Sequence, residues 1–150
     1  MRIIIQRVKY AKCIIGNVIH SEINDGFMVL VGIKEGDEKT DIEKVAKKVA
    51  KMRIFNDEND KMNLDLEAIN GKVLSISQFT LYADCAKGNR PSFSLAMKPP
   101  MASDLYDYFN DCLRAYGLEV MTGVFGADMQ IEMINDGPVT IFIDSEDLKK

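Results

Sequence analysis

Apolar residues dominate the first part of the chain in three runs that short turn signals separate. Ile3 to Ile15 is followed by Gly16-Asn17, Val18 to Ile23 by Asn24-Asp25-Gly26, and Phe27 to Ile33 by a polar segment. Apolar runs bounded by Gly, Asn and Asp are typical of β-strands joined by tight turns. The pattern therefore predicts a three-stranded meander.

Two later segments carry the apolar period of an α-helix. The first begins with Thr40-Asp41-Ile42-Glu43, a spacing that predicts a capping box, and the helix is expected to run to about Met52. Its apolar face consists of Ile42, Val45, Ala46, Val49 and Ala50. The second helix is predicted to begin near Ser103 and to end at Gly117. Its apolar stripe consists of Leu105, Tyr108, Phe109, Cys112, Leu113 and Tyr116.

The rest of the chain completes a mostly β structure. Lys72 to Leu81 is predicted as a central strand, and two or three more strands are predicted between Leu118 and Asp144. A long irregular connection, Ala83 to Met101, lies between the central strand and the second helix. No linker or shift in composition divides the sequence, so we expect residues 1–150 to form a single α+β domain with two principal helices.

Composition narrows the class of protein without naming a function. Apolar residues make up 47% and charged residues 28%, as in ordinary globular proteins. No apolar run approaches the roughly 18 residues of a membrane span, and the N-terminus lacks a signal-peptide pattern, so a cytoplasmic protein is expected. The three cysteines are too widely spaced for a zinc pattern or a disulfide framework.

The charge pattern bears on nucleic-acid binding. A formal net charge of −4 argues against a protein that coats nucleic acid indiscriminately, but it leaves room for local basic patches. One lysine cluster, at positions 44, 47, 48 and 51, is interpreted as the solvated face of the first helix. Lys87, Arg90 and Lys98 lie in the long connection and are the stronger candidates for contact with phosphate.

Few side chains are available for acid–base chemistry. His20 is the only histidine, so a metal site built on several imidazoles is excluded and a Ser-His-Asp triad would have to use it. Neither a phosphate-binding loop nor a dinucleotide fingerprint is present, and no metal or cofactor is expected. Ser77 and Thr80 carry hydroxyls in the predicted central strand, where Ser77 and Phe79 should share one face and Gln78 and Thr80 the other. An isolated threonine is a poor nucleophile, so both hydroxyls also fit a purely structural role.

A Gly-Pro step interrupts the last apolar segment. Asn135-Asp136-Gly137-Pro138-Val139-Thr140 lies between the apolar runs Met129 to Ile134 and Ile141 to Ile143. By itself this segment indicates a hairpin-type turn. Because Pro has no N–H group, the step also leaves carbonyl oxygens without ladder partners, free to meet a ligand or a second subunit.

Taken together, two motifs carry a family resemblance. Ser77-Gln78-Phe79-Thr80-Leu81 and the segment from Asn135 to Thr140 closely resemble the two signature motifs of the D-aminoacyl-tRNA deacylases. The opening Met1 to Val8, the loop Gly88 to Phe93 and the run Gly123 to Met129 also resemble family segments, in family order. Five ordered matches are far more specific than one short motif, and the resemblance covers essentially the whole chain.

The resemblance implies a fold and a reaction. It implies a strongly curved, barrel-like pair of sheets, assembled as a homodimer with the active site at the subunit interface. The implied substrate is the acceptor end of a tRNA that carries a D-amino acid, and the reaction is hydrolysis of the ester with help from the 2′-hydroxyl of the tRNA. No cofactor, metal or membrane is implied.

The resemblance also implies roles for particular residues. Ser77, Gln78, Phe79 and Thr80 are implied to form the catalytic wall of the pocket, with amides near Phe79 and Thr80 stabilising the oxyanion. Gly137 and Pro138, joined by a cis bond, are implied to enter from the partner subunit and to reject L-amino acids while accepting glycine. Arg7 is implied to hold this Gly-Pro segment, and Met129 is a further candidate for substrate binding.

Two other classes of function compete with a deacylase. A non-catalytic RNA-binding module would need basic and aromatic residues alternating on one surface, and this acidic chain without Trp shows no such stripe. A dimeric protein that binds a small molecule would keep the Gly-Pro segment, but it would not need the hydroxyls of Ser77 and Thr80 or the basic loop.

Overall fold

One long strand organises the fold in the computed structural model, which describes residues 1–149. Strand β1 (Arg2–Ile15) pairs along one edge with the antiparallel strand β8 (Gln130–Asp144). Its other edge pairs first with β3 (Gly26–Gly32) and then with β2 (Val18–Ile23). The predicted meander is therefore wrong: β3 pairs with β1 and not with β2, because each of the two covers only half the length of β1.

The sheet then curves back towards β2. Strand β6 (Lys72–Ser77) lies parallel to β3, and β7 (Val120–Thr122) lies parallel to β6. The hydroxyl of Ser21 on β2 donates to the carbonyl of Thr122 on β7 at 2.7 Å. The six-stranded sheet is thus nearly closed, and the predicted barrel-like α+β fold is confirmed. Two short strands, β4 (Phe55–Asn56) and β5 (Met62–Leu64), form a separate ribbon.

Helix α1 (Lys39–Ala50) buries the predicted apolar face. Its N-terminus differs from the prediction, because the capping box is formed by Glu38 and Asp41 and not by Thr40 and Glu43. The Asp41 carboxylate accepts the amide of Glu38 at 3.0 Å and is also paired with Lys149 at 3.2 Å. This burial of Asp41 starts the helix earlier than the Thr-Glu spacing suggests, and the helix ends at Ala50, before the predicted Met52.

Helix α2 (Met101–Ala115) begins directly after the Pro99–Pro100 pair, two residues before the predicted Ser103. Its buried face contains Tyr106, whereas the predicted stripe contained Tyr108. Tyr108 instead donates its hydroxyl to Glu43 of α1 at 2.5 Å. The helix is therefore rotated slightly from the expected orientation, and Tyr106 points towards the end of β6.

The predicted central strand ends early. Strand β6 stops at Ser77, and Phe79–Tyr82 form a 3₁₀ turn, so the predicted alternation of Phe79 and Thr80 across a strand is wrong. The reason is that the partner strand β3 ends at Gly32, where no ladder remains. A Cβ atom at position 32 would lie 3.1 Å from the carbonyl oxygen of Gln78, so glycine there lets the turn fold close against β3.

The Gly-Pro segment is not a hairpin. Strand β8 continues in one direction through it, so the hairpin interpretation is wrong. Between Gln6 and Val8, β1 advances two residues while β8 covers five, from Thr140 to Asn135. The additional residues form a bulge that lifts the Gly-Pro step out of the ladder. Among the described residues no helix is long and apolar enough to cross a membrane.

Candidate active site

The end of β6 opens into a small cavity against α2. The cavity has a volume of about 60 Å³, and Ser77, Phe79, Tyr106 and Phe125 are among its lining residues. The hydroxyl of Tyr106 donates to the carbonyl of Ser75 at 2.7 Å, and burial raises the pKa of this phenol. Tyr106 is therefore a neutral donor that fixes the strand end. Sequence reasoning missed it, although its spacing from Ala102, Phe109 and Leu113 is helical.

The turn after Ser77 presents its side chains to solvent. The Phe79 ring is 54% exposed and packs edge-on against Phe93, with the ring centroids 5.1 Å apart. The amide of Gln78 donates to the hydroxyl of Thr80. Among the described residues no other hydrogen bond is made by the Thr80 hydroxyl, and a side-chain amide cannot take up a proton near neutral pH. The arrangement therefore does not activate Thr80 as a nucleophile.

The main chain of the same turn is firmly held. Arg2 donates to the carbonyl of Leu81 at 3.1 Å, stacks over the ring of Tyr82 and pairs with Asp144 at 2.9 Å. The amides of Phe79 and Thr80 begin the turn, and the first N–H groups of a helical turn have no partner within it. The turn itself therefore supplies neither amide with an acceptor.

The Gly137–Pro138 bond is cis, and both residues are exposed. Asn135 holds the bulge from within: its side-chain oxygen accepts the amide of Val139 at 2.9 Å, and its side-chain nitrogen donates to Gln6 on β1. The backbone on both sides of the exposed Gly-Pro step is therefore held in place.

Arg7 lies beneath this bulge and is almost fully buried. Its guanidinium donates to the carbonyl of Asp136 at 3.0 Å, to the carbonyl of Ile54 at 2.7 Å and to the side chain of Asn56 at 3.2 Å. A Cβ atom at position 137 would lie 3.1 Å from Arg7 Nη2. The contact between the arginine and the glycine backbone thus leaves no room for a side chain.

Comparisons with known proteins identify the family of this chain. A family model described as D-Tyr-tRNA(Tyr) deacylase matches residues 4–144. The chain belongs to that family. A Staphylococcus haemolyticus protein named D-aminoacyl-tRNA deacylase is 52% identical over 99% of both chains, and a Lactobacillus gasseri protein of the same name is 53% identical over 96% of this chain and 99% of its own.

Solved structures extend the comparison to the fold. A structure described as a c-Myc DNA unwinding element binding protein matches with a TM-score of 0.89 and 36% identity over 96% of this chain and 98% of the other. A structure of a probable eukaryotic D-amino acid tRNA deacylase matches with a TM-score of 0.81, at 17% identity over 95% and 97% of the two chains. The family and the enzyme class predicted from the sequence, a D-aminoacyl-tRNA deacylase, are confirmed.

The predicted site residues of this deacylase fall into separate groups. Ser77 to Thr80 lie together at the end of β6, and Arg7, Gly137 and Pro138 lie together in the bulge of β8. Three strand spacings of about 4.8 Å and about five residues at about 3.3 Å separate the groups, which amounts to roughly 20 Å along the sheet. One chain therefore does not bring the two motifs into a single pocket.

Met129 joins neither group. Its sulfur lies against Gly123 and its side chain packs on the apolar cluster that contains Ile76. Ile76 and Ser77 point to opposite faces of β6. The assignment of Met129 to substrate binding stays a prediction.

Proposed function

We propose that this deacylase hydrolyses the ester between a D-amino acid and the 3′-terminal ribose of tRNA, in a pocket built by two copies of the chain. The relatives from Staphylococcus haemolyticus and Lactobacillus gasseri carry the name of this activity. The proposal rests on two exposed backbone segments, the turn after Ser77 and the Gly-Pro bulge, which strand spacings separate by about 20 Å along the sheet of one chain. A substrate of this kind also implies that the enzyme acts in the cytoplasm, where translation uses aminoacyl-tRNA.

The free edge of β8 supports a second copy. This 15-residue strand pairs with β1 on one side, and no strand of the described chain covers its other edge. Ile134 and Phe142 project from this strand, one on each side of the Gly-Pro bulge, and are 49% and 57% exposed. A long exposed edge with apolar side chains is a site for pairing with another chain. A two-fold dimer would cover it and bring the Gly-Pro bulge of each copy to the Ser77–Thr80 turn of the other.

The chemistry is assigned to the main chain and the substrate. The amides of Phe79 and Thr80 would stabilise the oxyanion that forms when water attacks the ester carbonyl, a contribution of about 3–4 kcal/mol for one donor. The 2′-hydroxyl of the tRNA would assist the attack, because the Thr80 hydroxyl accepts a hydrogen bond from the Gln78 side chain and not from a base that could activate it. Thr80→Ala should therefore keep most of the activity, and its complete inactivation with an intact fold would return Thr80 to a nucleophilic role.

Handedness would be checked by the Gly137–Pro138 backbone. Carbonyl oxygens at this step would accept from the α-ammonium group of a D-residue, whereas the side chain of an L-residue would meet the same backbone. Discrimination by exclusion does not depend on the identity of the side chain. The proposal thus includes broad acceptance of D-amino acids and acceptance of glycine. Lys87, Arg90 and Lys98 remain candidates for contact with the tRNA phosphates.

The first experiment compares esters. Chelator-treated protein is incubated with a D-aminoacyl-tRNA, the matching L-aminoacyl-tRNA and glycyl-tRNA, and the free amino acid is measured. We expect release from the D-ester and the glycyl ester only. Binding of tRNA without release would support an RNA-binding module, and indifference to tRNA would support a small-molecule binder.

The second experiment tests whether the pocket is shared between subunits. Phe79→Pro removes one amide donor at the first position of the turn, where proline is tolerated, and Gly137→Val obstructs the other wall. Each variant alone should be nearly inactive. After mixing with subunit exchange, about half of the dimers pair the two variants and hold one intact site of two, which restores about a quarter of wild-type activity. If dimers that have exchanged subunits recover no activity, a pocket built from both chains is excluded.

A further inference from the structure

A groove lined by lysines runs between α1 and the 3₁₀ turn Ser145–Lys149. Its volume is about 780 Å³, against about 60 Å³ for the cavity beside Ser77. The lysines are Lys44, Lys47, Lys48 and Lys51, and Met52, Asp147 and Leu148 complete the lining. We refer to this feature as the lysine groove.

Helical geometry places these four charges in one row. Positions 44, 47, 48 and 51 share one face of α1, and Val45, Ala46 and Val49 on the opposite side are buried. The row extends for about 10 Å along the helix axis. Lys51 pairs with Glu67 at 3.4 Å, and no ion pair to the other three is present in the part of the chain that the structure describes.

Concentrating like charges in this way is costly in an acidic protein. Lysines three and four residues apart on a helix repel one another. The chain carries 23 acidic against 19 basic residues, yet one acidic residue, Asp147, is found among the described residues that line the groove. A partner with a row of negative charges would relieve the repulsion.

The groove is connected to the candidate active site through a short series of contacts. Arg2 donates to the carbonyl of Leu81 in the turn after Ser77 and pairs with Asp144. The 3₁₀ turn that borders the groove begins at the next residue, Ser145, and its five residues extend about 10 Å. The turn after Ser77 and the border of the groove are therefore linked through Arg2 and Asp144.

We propose that the lysine groove binds backbone phosphates of the tRNA acceptor arm while the aminoacyl ester lies at Ser77–Thr80. This inference rests on the proposed function. A row of lysine ammonium groups suits a regular phosphate backbone, because proteins bind backbone phosphates through charge and not through base sequence. It assigns a binding role to a cluster that the sequence alone indicated only as a solvated helix face.

The test removes three charges from the groove. Lys44, Lys47 and Lys48 are replaced together by Gln, which keeps a similar helix propensity. A matched control replaces Lys12, Lys61 and Lys72, which lie outside the groove lining, and so changes the net charge equally. Binding of a deacylated tRNA is titrated by fluorescence anisotropy at salt concentrations from about 50 to 200 mM.

We expect the groove variant to bind tRNA about tenfold more weakly and to lower the slope of log Kd against log salt by about 2, since each phosphate contact contributes about 0.7–0.9. The control should stay within about twofold of wild type, because distant charges are screened beyond about 10 Å. With charged tRNA, the groove variant should raise KM and leave kcat unchanged, and its hydrolysis of a D-aminoacyl ester of adenosine alone should equal that of wild type.

Equal affinities and equal salt slopes for the groove variant and the control would overturn the inference. So would a groove variant that loses binding to phosphatidylserine vesicles but keeps its affinity for tRNA. Deacylated tRNA carries no ester, so this titration tests binding of tRNA at the lysine groove even if the wild-type protein hydrolyses neither ester. Failure of the wild type on both esters would count against the proposed function alone.

Discussion

Replacement of Arg7 by Met removes the cation that joins the Gly-Pro bulge to the ribbon β4–β5. Arg7 is 7% exposed, and its guanidinium donates to the carbonyls of Ile54 and Asp136 and to the side chain of Asn56. Met keeps much of the apolar stem but offers no donor. The variant therefore isolates the three hydrogen bonds and the ion pair with Asp136, whose atoms are 3.6 Å apart.

The cost in unfolding free energy follows from the carbonyl oxygens that lose the guanidinium donor. A buried acceptor that loses its donor costs about 1–3 kcal/mol. The carbonyls of Ile54 and Asp136 are buried or partly buried and count fully, while Asn56 is exposed and can turn to water. The expected loss of unfolding free energy is about 3–5 kcal/mol, or about 10 °C in Tm for a chain of this length. Lys at this position keeps the charge but lacks the planar fork, so about half of this loss is expected for Arg7→Lys.

Urea and thermal unfolding at a fixed protein concentration measure the loss, since assembly links Tm to concentration. Arg53→Met is the control: Arg53 is exposed, and its expected effect is below about 0.5 kcal/mol. If Arg7 anchors the bulge, the ratio of D-ester to L-ester hydrolysis also falls in both Arg7 variants. A change within about 1 kcal/mol in Arg7→Met would refute the energetic reasoning, and a destabilised variant with an unchanged ratio would refute the link to chirality.

Three other substitutions test separate parts of the structure. Asp37→Asn leaves the buried ammonium group of Met1 without its partner at 2.6 Å and should cost about 3 kcal/mol in urea unfolding, whereas the exposed Glu35→Gln should cost little. The pKa of Asp144 is lowered, because burial, which raises it, is outweighed by hydrogen bonds from the Glu146 amide and Arg2. The ionised Asp144 carboxylate therefore stabilises the fold fully above its unfolded pKa of about 4, and this stabilisation is lost as pH falls through the lower folded pKa. The difference in unfolding free energy between wild type and Asp144→Asn should shrink below about pH 4. A difference that stays constant with pH would contradict this. Gly137→Ala places a Cβ atom at a φ of +132° and 2.8 Å from Val139, so it should lower the unfolding free energy by about 1–3 kcal/mol. Gly36→Ala should cost less, because Gly36 has a φ of +88° and open space around its Cβ position.

The sequence predicted elements whose causes are local. The buried face of α1 was identified in full, because a helix that packs on a sheet repeats its apolar residues every three to four positions. Its start was not, because Thr40-Glu43 fits the usual capping-box pattern, whereas the box that forms uses Glu38 and Asp41, with Asp41 buried and paired with Lys149. That contact joins residues distant in sequence, and no local pattern encodes it.

The errors at the candidate site have a similar origin. The strand predicted through Leu81 stops at Ser77 because its neighbour β3 ends, which is a property of the partner strand. The Gly-Pro step reads as a hairpin because the residues that favour tight turns also favour bulges. Family motifs pointed to the two segments, but the geometry of the Gly-Pro step follows only from the pairing of β8 with β1 on both sides of the bulge.

The position of the Gly-Pro step in the sheet follows from hydrogen bonding. Proline cannot donate to a ladder, so within a sheet it is confined to edge strands and bulges, and Pro138 occupies both. In an interior strand, neighbours on both sides would use or bury the main-chain oxygens on which the proposed reading of handedness depends. On this edge bulge the Gly-Pro step is exposed, and Arg7 and Asn135 hold the backbone on either side of it. Discrimination of handedness by main-chain atoms therefore requires an edge strand. The same free edge is the surface on which a second copy of the chain can bind and contribute its Ser77–Thr80 turn to the pocket.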